Sequence, residues 1–156
     1  MSKSLAVGDQ APGFALPDHN GKTVTLDSFA GKALVLYFYP KDDTSGCTQE
    51  AIDFHAHAKD FANAGTAILG VSPDSSASHA KFRAKHDIGV PLASDETKAT
   101  LEAYGVWVEK SMYGRKYLGV ERTTFLIKPD GEIAAVWRKV KVTGHAEAVL
   151  KAAQAL

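Results

Sequence analysis

The chain has 156 residues and one cysteine, Cys47. One thiol excludes an intramolecular disulfide, a four-thiolate metal site and a CxxC exchange motif, so any cysteine chemistry here belongs to a single sulfur. A thiol reacts as thiolate, and its ordinary pKa of about 8.5 has to be brought down by positive charge or hydrogen-bond donors. The neighbours of Cys47 suit that requirement. The cysteine follows an apolar run, Ala33 to Tyr39, and a loop starting at Pro40, and it opens an amphipathic stretch. The first turn of a helix offers free N–H groups and the positive end of the helix dipole. Gly46 lets the backbone approach a small ligand and leaves the sulfur unshielded. Thr44 places a hydroxyl three residues before the sulfur, and Pro40 fixes the exit from the strand. A lone cysteine is also a common small buried hydrophobe, and Cys47 projects along the apolar side of its helix. The strand–loop–helix junction favours a site, because open α/β sheets bind ligands beyond the carboxyl ends of their strands. Spacing alone leaves both readings open.

The elements that would position this sulfur follow from period and punctuation. Phe14–Leu16 and Thr23–Leu26 flank His19-Asn20-Gly21 and read as an N-terminal hairpin. Ala33–Tyr39 reads as a central strand, and Cys47 to about Asn63, ended by Gly65, as a helix. Its residues Ala51, Phe54, Ala58, Phe61 and Ala62 share one face. Thr66–Val71 is a second strand and Ser75–His86 a helix with Ala77, Ala80 and Phe82 inward; Val90–Ala93 is a short strand and Asp95–Tyr104 a helix. Thr123–Ile127 and Ile133–Trp137 flank Pro129-Asp130-Gly131, an antiparallel hairpin, and Thr143 caps a last helix burying Ala146, Val149, Leu150 and Ala153. This order predicts an α/β fold, a mixed central sheet flanked by helices, in one domain spanning residues 1–156.

Eighteen Lys+Arg balance eighteen Asp+Glu. The chain therefore lacks the basic excess of a nucleic-acid binder or membrane-surface protein. The longest apolar run has seven residues against about twenty for a membrane span, and residues 1–8 form no secretory signal, so the cytoplasm is the expected location.

The segment Pro40-Lys-Asp-Asp-Thr44-Ser-Gly-Cys47-Thr-Gln-Glu50 resembles the signature of peroxiredoxins. Val35–Tyr39, Tyr104–Trp107, Tyr113–Tyr117 and Arg122–Phe125 resemble the peroxiredoxin Q, or bacterioferritin comigratory protein, branch. The likeness runs from about Val7 to Leu150. It implies a thioredoxin-like fold with an N-terminal hairpin, and a thiol peroxidase that reduces hydrogen peroxide and organic hydroperoxides through a sulfenic acid at Cys47. In that reading Gly46 and Cys47 N–H, the Thr44 hydroxyl and Arg122 are donors to the reacting oxygens, Pro40 shields the sulfenic acid, and Glu50 orients Arg122. No cofactor and no metal are implied. The resolving cysteine of many branch members, five residues on or in the following helix, is absent: Ile52 and the neighbourhood of Arg83 hold none. The resemblance therefore implies a one-cysteine cycle closed by an external thiol, whether glutathione, glutaredoxin or thioredoxin. A monomer is the expectation and a dimer the alternative. Other classes compatible with the chain are a non-catalytic thioredoxin-fold redox sensor or partner-binding module, and a thiol transferase.

Other polar features carry less. His55 and His57, two residues apart, do not share a helix face. His79 and His86 can align but have no acidic partner on that face, and read as solvated surface. Gly31-Lys32 lacks phosphate-loop spacing. Arg138–Lys141 reads as an exposed strand face. Trp107, Tyr113 and Tyr117 read as core or loop packing, and by resemblance border the mouth of the site.

Overall fold

The computed structural model describes residues 5–156. Strand β3 (Ala33–Phe38) is buried along its whole length. It lies at the centre of a five-stranded sheet in the order β5-β4-β3-β8-β9, with β4 spanning Thr66–Ser72, β5 Leu92–Ser94, β8 Thr123–Ile127 and β9 Ile133–Trp137. It pairs parallel with β4 and antiparallel with β8, so the sheet is mixed, as the element order predicts. Alternation along β3 sorts the core into two layers. Val35, Tyr37 and Tyr39 pack with Phe54, Phe61, Phe82 and Val149. Leu34, Leu36 and Phe38 pack on the other face with Phe14, Leu16, Leu101 and Tyr104. Gly70 of β4 is where the first layer closes tightest: a Cβ there would meet the Tyr37 ring at 2.6 Å.

The N-terminal hairpin forms from β1 (Ala15–Pro17) and β2 (Thr23–Thr25). Its turn is tied by Asp18 Oδ1, which accepts from the N–H groups of Asn20 and Lys22. The predicted long helix is two: α1 (Ser45–Ala56) and α2 (Ala58–Asn63), broken at His57. In one straight helix Phe54 and Phe61 would stand about 10 Å apart along the axis. The break instead brings their rings to 6.0 Å in the same core layer. Helix α3 (Ser76–His86) buries Phe82 as predicted, but its other buried residue is His79, while Ala77 and Ala80, expected inward, face solvent. Helix α4 is shorter than predicted, Ala99–Ala103. The Asp95 carboxylate accepts from the Leu101 N–H, and Lys98 takes a left-handed conformation, so residues 95–98 make a turn.

The sequence reading missed a hairpin, β6 (Trp107–Met112) with β7 (Arg115–Val120), forming a separate two-stranded sheet. Its two-residue turn, Tyr113-Gly114, has φ of 52° and 78°, the geometry that suits the twist of a tight hairpin. Residues 138–141 lie beyond β9 and extend no strand, although Arg138, Lys139 and Lys141 are exposed as predicted. Helix α5 (His145–Gln154) buries Ala146, Val149, Leu150 and Ala153 as predicted, but its N-cap is Gly144 with φ 74°, not Thr143. Among the described residues no helix is long and apolar enough to cross a membrane.

Candidate active site

Topology brings the two key residues together across 75 positions of sequence. Strand β3 ends at Phe38, which pairs with Thr123, the first residue of antiparallel β8. The loop leading to α1 and the turn entering β8 therefore leave the same edge of the sheet, side by side. Cys47 sits in the first turn of α1, and Arg122 immediately precedes β8. The Arg122 Nη2 donates to Cys47 Sγ at 3.3 Å, and its Nη1 donates to Glu50 Oε1 at 2.7 Å. Glu50 lies three residues after Cys47 and so on the same face of α1. The backbone of Arg122 is held as well, its carbonyl accepting from the Val140 N–H at 3.0 Å. That contact gives the segment misread as a strand a part in the site.

Thr44 is the N-cap residue of α1 but makes no side-chain cap. Its hydroxyl donates to the Lys41 carbonyl at 2.9 Å. The hydroxyl proton is thus committed to the loop, and what Thr44 offers a ligand is its lone pairs rather than the donor expected of it. The first intrahelical bond runs from the Thr48 N–H to the Thr44 carbonyl. The N–H groups of Gly46 and Cys47 precede it and remain open, with the helix dipole behind them. A Cβ on Gly46 would stand 3.1 Å from Arg122 Nη2, so the absence of a side chain there leaves room for the guanidinium. Pro40 is half-buried at the loop entrance, where the sequence places it.

The sulfur and the carboxylate are both buried, Cys47 being 1 % and Glu50 2 % exposed. Burial pushes the Glu50 carboxyl up to about 7, against the pull of Arg122. Its second oxygen, Oε2, is buried without a hydrogen-bond partner. Burial alone would lower Arg122, but the Glu50 carboxylate and the Cys47 sulfur override it and raise the guanidinium further. Near neutral pH Glu50 therefore offsets Arg122 only in part, and positive charge remains for the sulfur and a bound ligand. Next to this group lies His145, whose Nε2 is 2.8 Å from the Thr124 hydroxyl. Burial first, and Arg122 second, lower it to about 4.

The loop from Pro40 to Thr44 is anchored by residues that sequence reasoning left aside. His79 is fully buried, not solvated, and its acidic partner comes from this loop. Its Nδ1 meets Asp42 Oδ2 at 2.8 Å and its Nε2 meets the Ala93 carbonyl at 2.9 Å. His86 and Lys85 likewise bind Asp43, at 2.7 and 2.6 Å. The signal was present: His79, Phe82 and His86 recur at three and four residues, one face of α3 that includes a core phenylalanine. Asp42, Asp74 and His79 form the one cluster among the described residues whose donor atoms lie close enough to share a metal ion. Protein donors already use it: the Tyr39 and Ser78 hydroxyls bind Asp42, and the Ser72 hydroxyl and Asp42 N–H bind Asp74. Of the three aromatics read as core or loop packing, Tyr113 is 99 % exposed at the hairpin tip, Tyr117 is exposed and Trp107 half-buried at the root.

The AhpC/TSA family matches residues 7–136 of the chain. The peroxiredoxin Bcp of Xanthomonas campestris is 53 % identical over 135 residues, covering 86 % of this chain and 84 % of that protein. A structure of the bacterioferritin comigratory protein of that organism, from work on its alkyl peroxide reduction activity, superposes with a TM-score of 0.87 at 50 % identity. It covers 91 % of this chain and 90 % of its own. A mutant PrxQ structure from Xylella fastidiosa gives a TM-score of 0.93 at 39 % identity and covers 98 % of both chains. The fold is thus the thioredoxin-like fold of peroxiredoxins, and the matched span runs from before the N-terminal hairpin, through the Cys47 helix and Arg122, into β9. This chain belongs to the AhpC/TSA family as a peroxiredoxin of the Bcp/PrxQ branch, one with a single cysteine.

Proposed function

We propose that this single thioredoxin-like domain is a cytoplasmic one-cysteine peroxidase acting on hydrogen peroxide and alkyl hydroperoxides. The observation that carries the reading is the Arg122 guanidinium placed between Cys47 Sγ and Glu50, beside the open first turn of α1. The Cys47 thiolate attacks the terminal oxygen of ROOH. The sulfur–oxygen bond forms as the O–O bond breaks, giving Cys47 sulfenic acid and an alkoxide that takes a proton and leaves as alcohol. Negative charge moves from sulfur to the leaving oxygen. Arg122 and the Gly46 and Cys47 N–H groups are fixed in advance for that charge, so they stabilise the transition state more than the ground state. Thr44, its proton held by Lys41, accepts the hydrogen of the incoming hydroperoxide. Pro40 covers the sulfenic acid. The alkyl substrate class is supported by the activity studied in the Xanthomonas relative.

With one cysteine, the chain has no second thiol to form an internal disulfide. An external thiol therefore condenses with the sulfenic acid, releasing water and leaving a mixed disulfide. A second thiol then restores Cys47 by exchange. Glutathione, glutaredoxin and thioredoxin are all chemically competent.

Intact mass after one equivalent of peroxide tests the cycle. A gain of one oxygen, converted by glutathione to an adduct and then to the free thiol, is the expected course. The Cys47→Ser variant should consume no peroxide in a thiol-coupled assay. Activity retained in that variant overturns the reading, and a disulfide-linked dimer through Cys47 replaces the one-cysteine cycle with trapping between subunits.

A further inference from the structure

We infer that His79 is a positioning residue of the peroxidase site, acting through Asp42 on the loop that carries Thr44 and opens the Cys47 helix. The inference rests on the peroxide reaction proposed above. His79 is 0 % exposed and Asp42 is 7 % exposed. A buried polar pair with no work to do is costly to keep, so its partners indicate what it holds. His79 Nε2 faces only the Ala93 carbonyl, which can accept but not donate, so Nε2 carries a proton. Nδ1 meets Asp42 Oδ2 at 2.8 Å, with the Tyr39 hydroxyl at 3.3 Å. The carboxylate also only accepts, so this contact holds a proton of its own, and the two residues form a buried ion pair in which the ring donates on both sides. The same carboxylate takes the Ser78 hydroxyl on Oδ2 and the Tyr39 hydroxyl on Oδ1, at 2.8 and 2.5 Å. Asp42 also donates its own N–H to Asp74 Oδ2. Five groups, from the residue after β3, α3, β5 and the turn after β4, thus converge on one loop residue or on its histidine.

The path from Asp42 to the sulfur is short. Asp42 lies between Lys41 and Asp43. The Lys41 carbonyl receives the Thr44 hydroxyl, which fixes Thr44 at the start of α1. Asp43, in a left-handed conformation with φ 60°, is held by Lys85 and His86 from the far end of α3. Helix α3 therefore grips two successive loop residues, the inner one buried and the outer one exposed. The hydrogen bond to Cys47 Sγ comes from Arg122 and not from this buried group. Its effect on the reaction runs through where the loop puts Thr44 and the first turn of α1, and small displacements there weaken alignment of the attack.

Two substitutions separate this role from simple core filling. His79→Asn keeps a donor near the position of Nδ1, toward Asp42; His79→Gln keeps one near Nε2, toward Ala93, and leaves Asp42 without it. The measurement is the second-order rate of Cys47 oxidation by cumene hydroperoxide in stopped flow, beside the rate of iodoacetamide alkylation and the thermal midpoint. His79→Gln should lower the peroxide rate about ten-fold or more, while His79→Asn stays within about three-fold of the parent, since misplacement by an ångström is enough to cost such factors. Alkylation, which needs no alignment of a peroxide, should change less than about two-fold in both. Equal losses in the two variants, a loss matched by alkylation, or an unchanged rate in His79→Gln overturn the inference. If His79→Gln does not fold, the Asp42→Asn variant tests the pair from the loop side, where a similar loss is expected and a parental rate overturns it. With both variants in hand, the double variant should be no slower than Asp42→Asn alone, and full additivity overturns the coupling. Failure of Cys47→Ser to abolish turnover instead refutes the peroxidase reading itself, a result distinct from any of these.

Discussion

Two regions meet at Arg122 and are built in opposite ways. On one side the Cys47 loop and first turn of α1 bury Asp42, Cys47 and Glu50, which are tied by polar side chains from three distant segments: Arg122 before β8, His79 in α3 and Asp74 after β4. On the other side the β6–β7 hairpin ends at Val120, two residues before Arg122, and is held by its own register. Met112 and Tyr113 at its tip and Tyr117 and Leu118 along β7 are all exposed. The site depends on long-range contacts that a change of one side chain can misplace, whereas the hairpin is fixed locally and tolerates change at its tip. Removing groups from each side should therefore give effects of very different size.

The largest effect is expected at Arg122. Replacing it with Met keeps the bulk but removes both the donor to Cys47 Sγ and the partner of Glu50. Loss of one preorganised donor to a developing negative charge lowers the rate about 10²- to 10³-fold. Arg122→Lys should fall between parent and Arg122→Met, because an ammonium cannot bridge sulfur and carboxylate with the same planar fork. Stopped-flow oxidation of Cys47 by peroxide measures this. A loss below ten-fold in Arg122→Met would move the electrostatic work to the backbone donors alone.

Gly46→Ala sharpens the contrast from the other direction. The new Cβ would crowd Arg122 Nη2 at 3.1 Å, displacing the very nitrogen that binds the sulfur. The peroxide rate should drop about ten-fold. Stability should be unchanged or rise by about 0.5 kcal/mol, because alanine restricts the unfolded chain more than glycine does. A variant both slower and less stable would mean that the guanidinium cannot shift and that the helix start pays for the strain.

Glu50 supplies a test in pH. Its carboxyl titrates at about 7 in the native protein against an ordinary 4.5. Between those values the folded chain holds a proton that the unfolded chain has released, so its contribution to stability falls as pH rises through the window. Over the full range the loss is about 3 kcal/mol. His145 works in the opposite sense: lowered from 6.5 to about 4, it contributes stability above 6.5 that is lost as pH falls toward 4. The parent therefore conceals much of each slope between pH 4.5 and 6.5. Glu50→Gln removes one of them, so its stability advantage over the parent in urea unfolding should grow from pH 5 to pH 8. A difference that stays flat with pH would show that Glu50 remains ionised throughout.

The same contrast explains what the sequence could disclose. Strand β3, the N-terminal hairpin, the Pro129-Asp130-Gly131 turn and the buried face of α5 follow from local period and turn chemistry, and the structure has them where they were expected. Cys47, Pro40, Thr44 and Gly46 stood out as candidates because they lie within eight consecutive residues, and Glu50 joined them through the family resemblance. Arg122 was legible only through the family resemblance, since nothing local to it points toward a sulfur 75 residues away. The buried pair of His79 and Asp42 escaped because helical periodicity reports which face is inward but not that a histidine there will find a carboxylate on a distant loop. The break at His57 and the N-cap at Gly144 escaped for a related reason: tertiary packing of Phe54 on Phe61 and the approach of the chain to α5 outweigh local helix preference.

The smallest effect is expected at the hairpin tip. Tyr113 has φ 52° and is 99 % exposed, so its side chain gains nothing from packing while its backbone sits in a conformation better suited to asparagine. Tyr113→Asn should leave stability within about 0.5 kcal/mol of the parent, or slightly above it. If the hairpin is mechanically independent of Arg122, oxidation by hydrogen peroxide and by cumene hydroperoxide should both remain at the parental rate. A selective loss with the bulky hydroperoxide would place Tyr113 at the mouth of the site, as the family resemblance implies, and would end the separation of the two regions. A loss with both substrates would mean that strain at the tip travels down β7 to the guanidinium, which the unbroken register from Met112–Arg115 to Trp107–Val120 gives it a path to do.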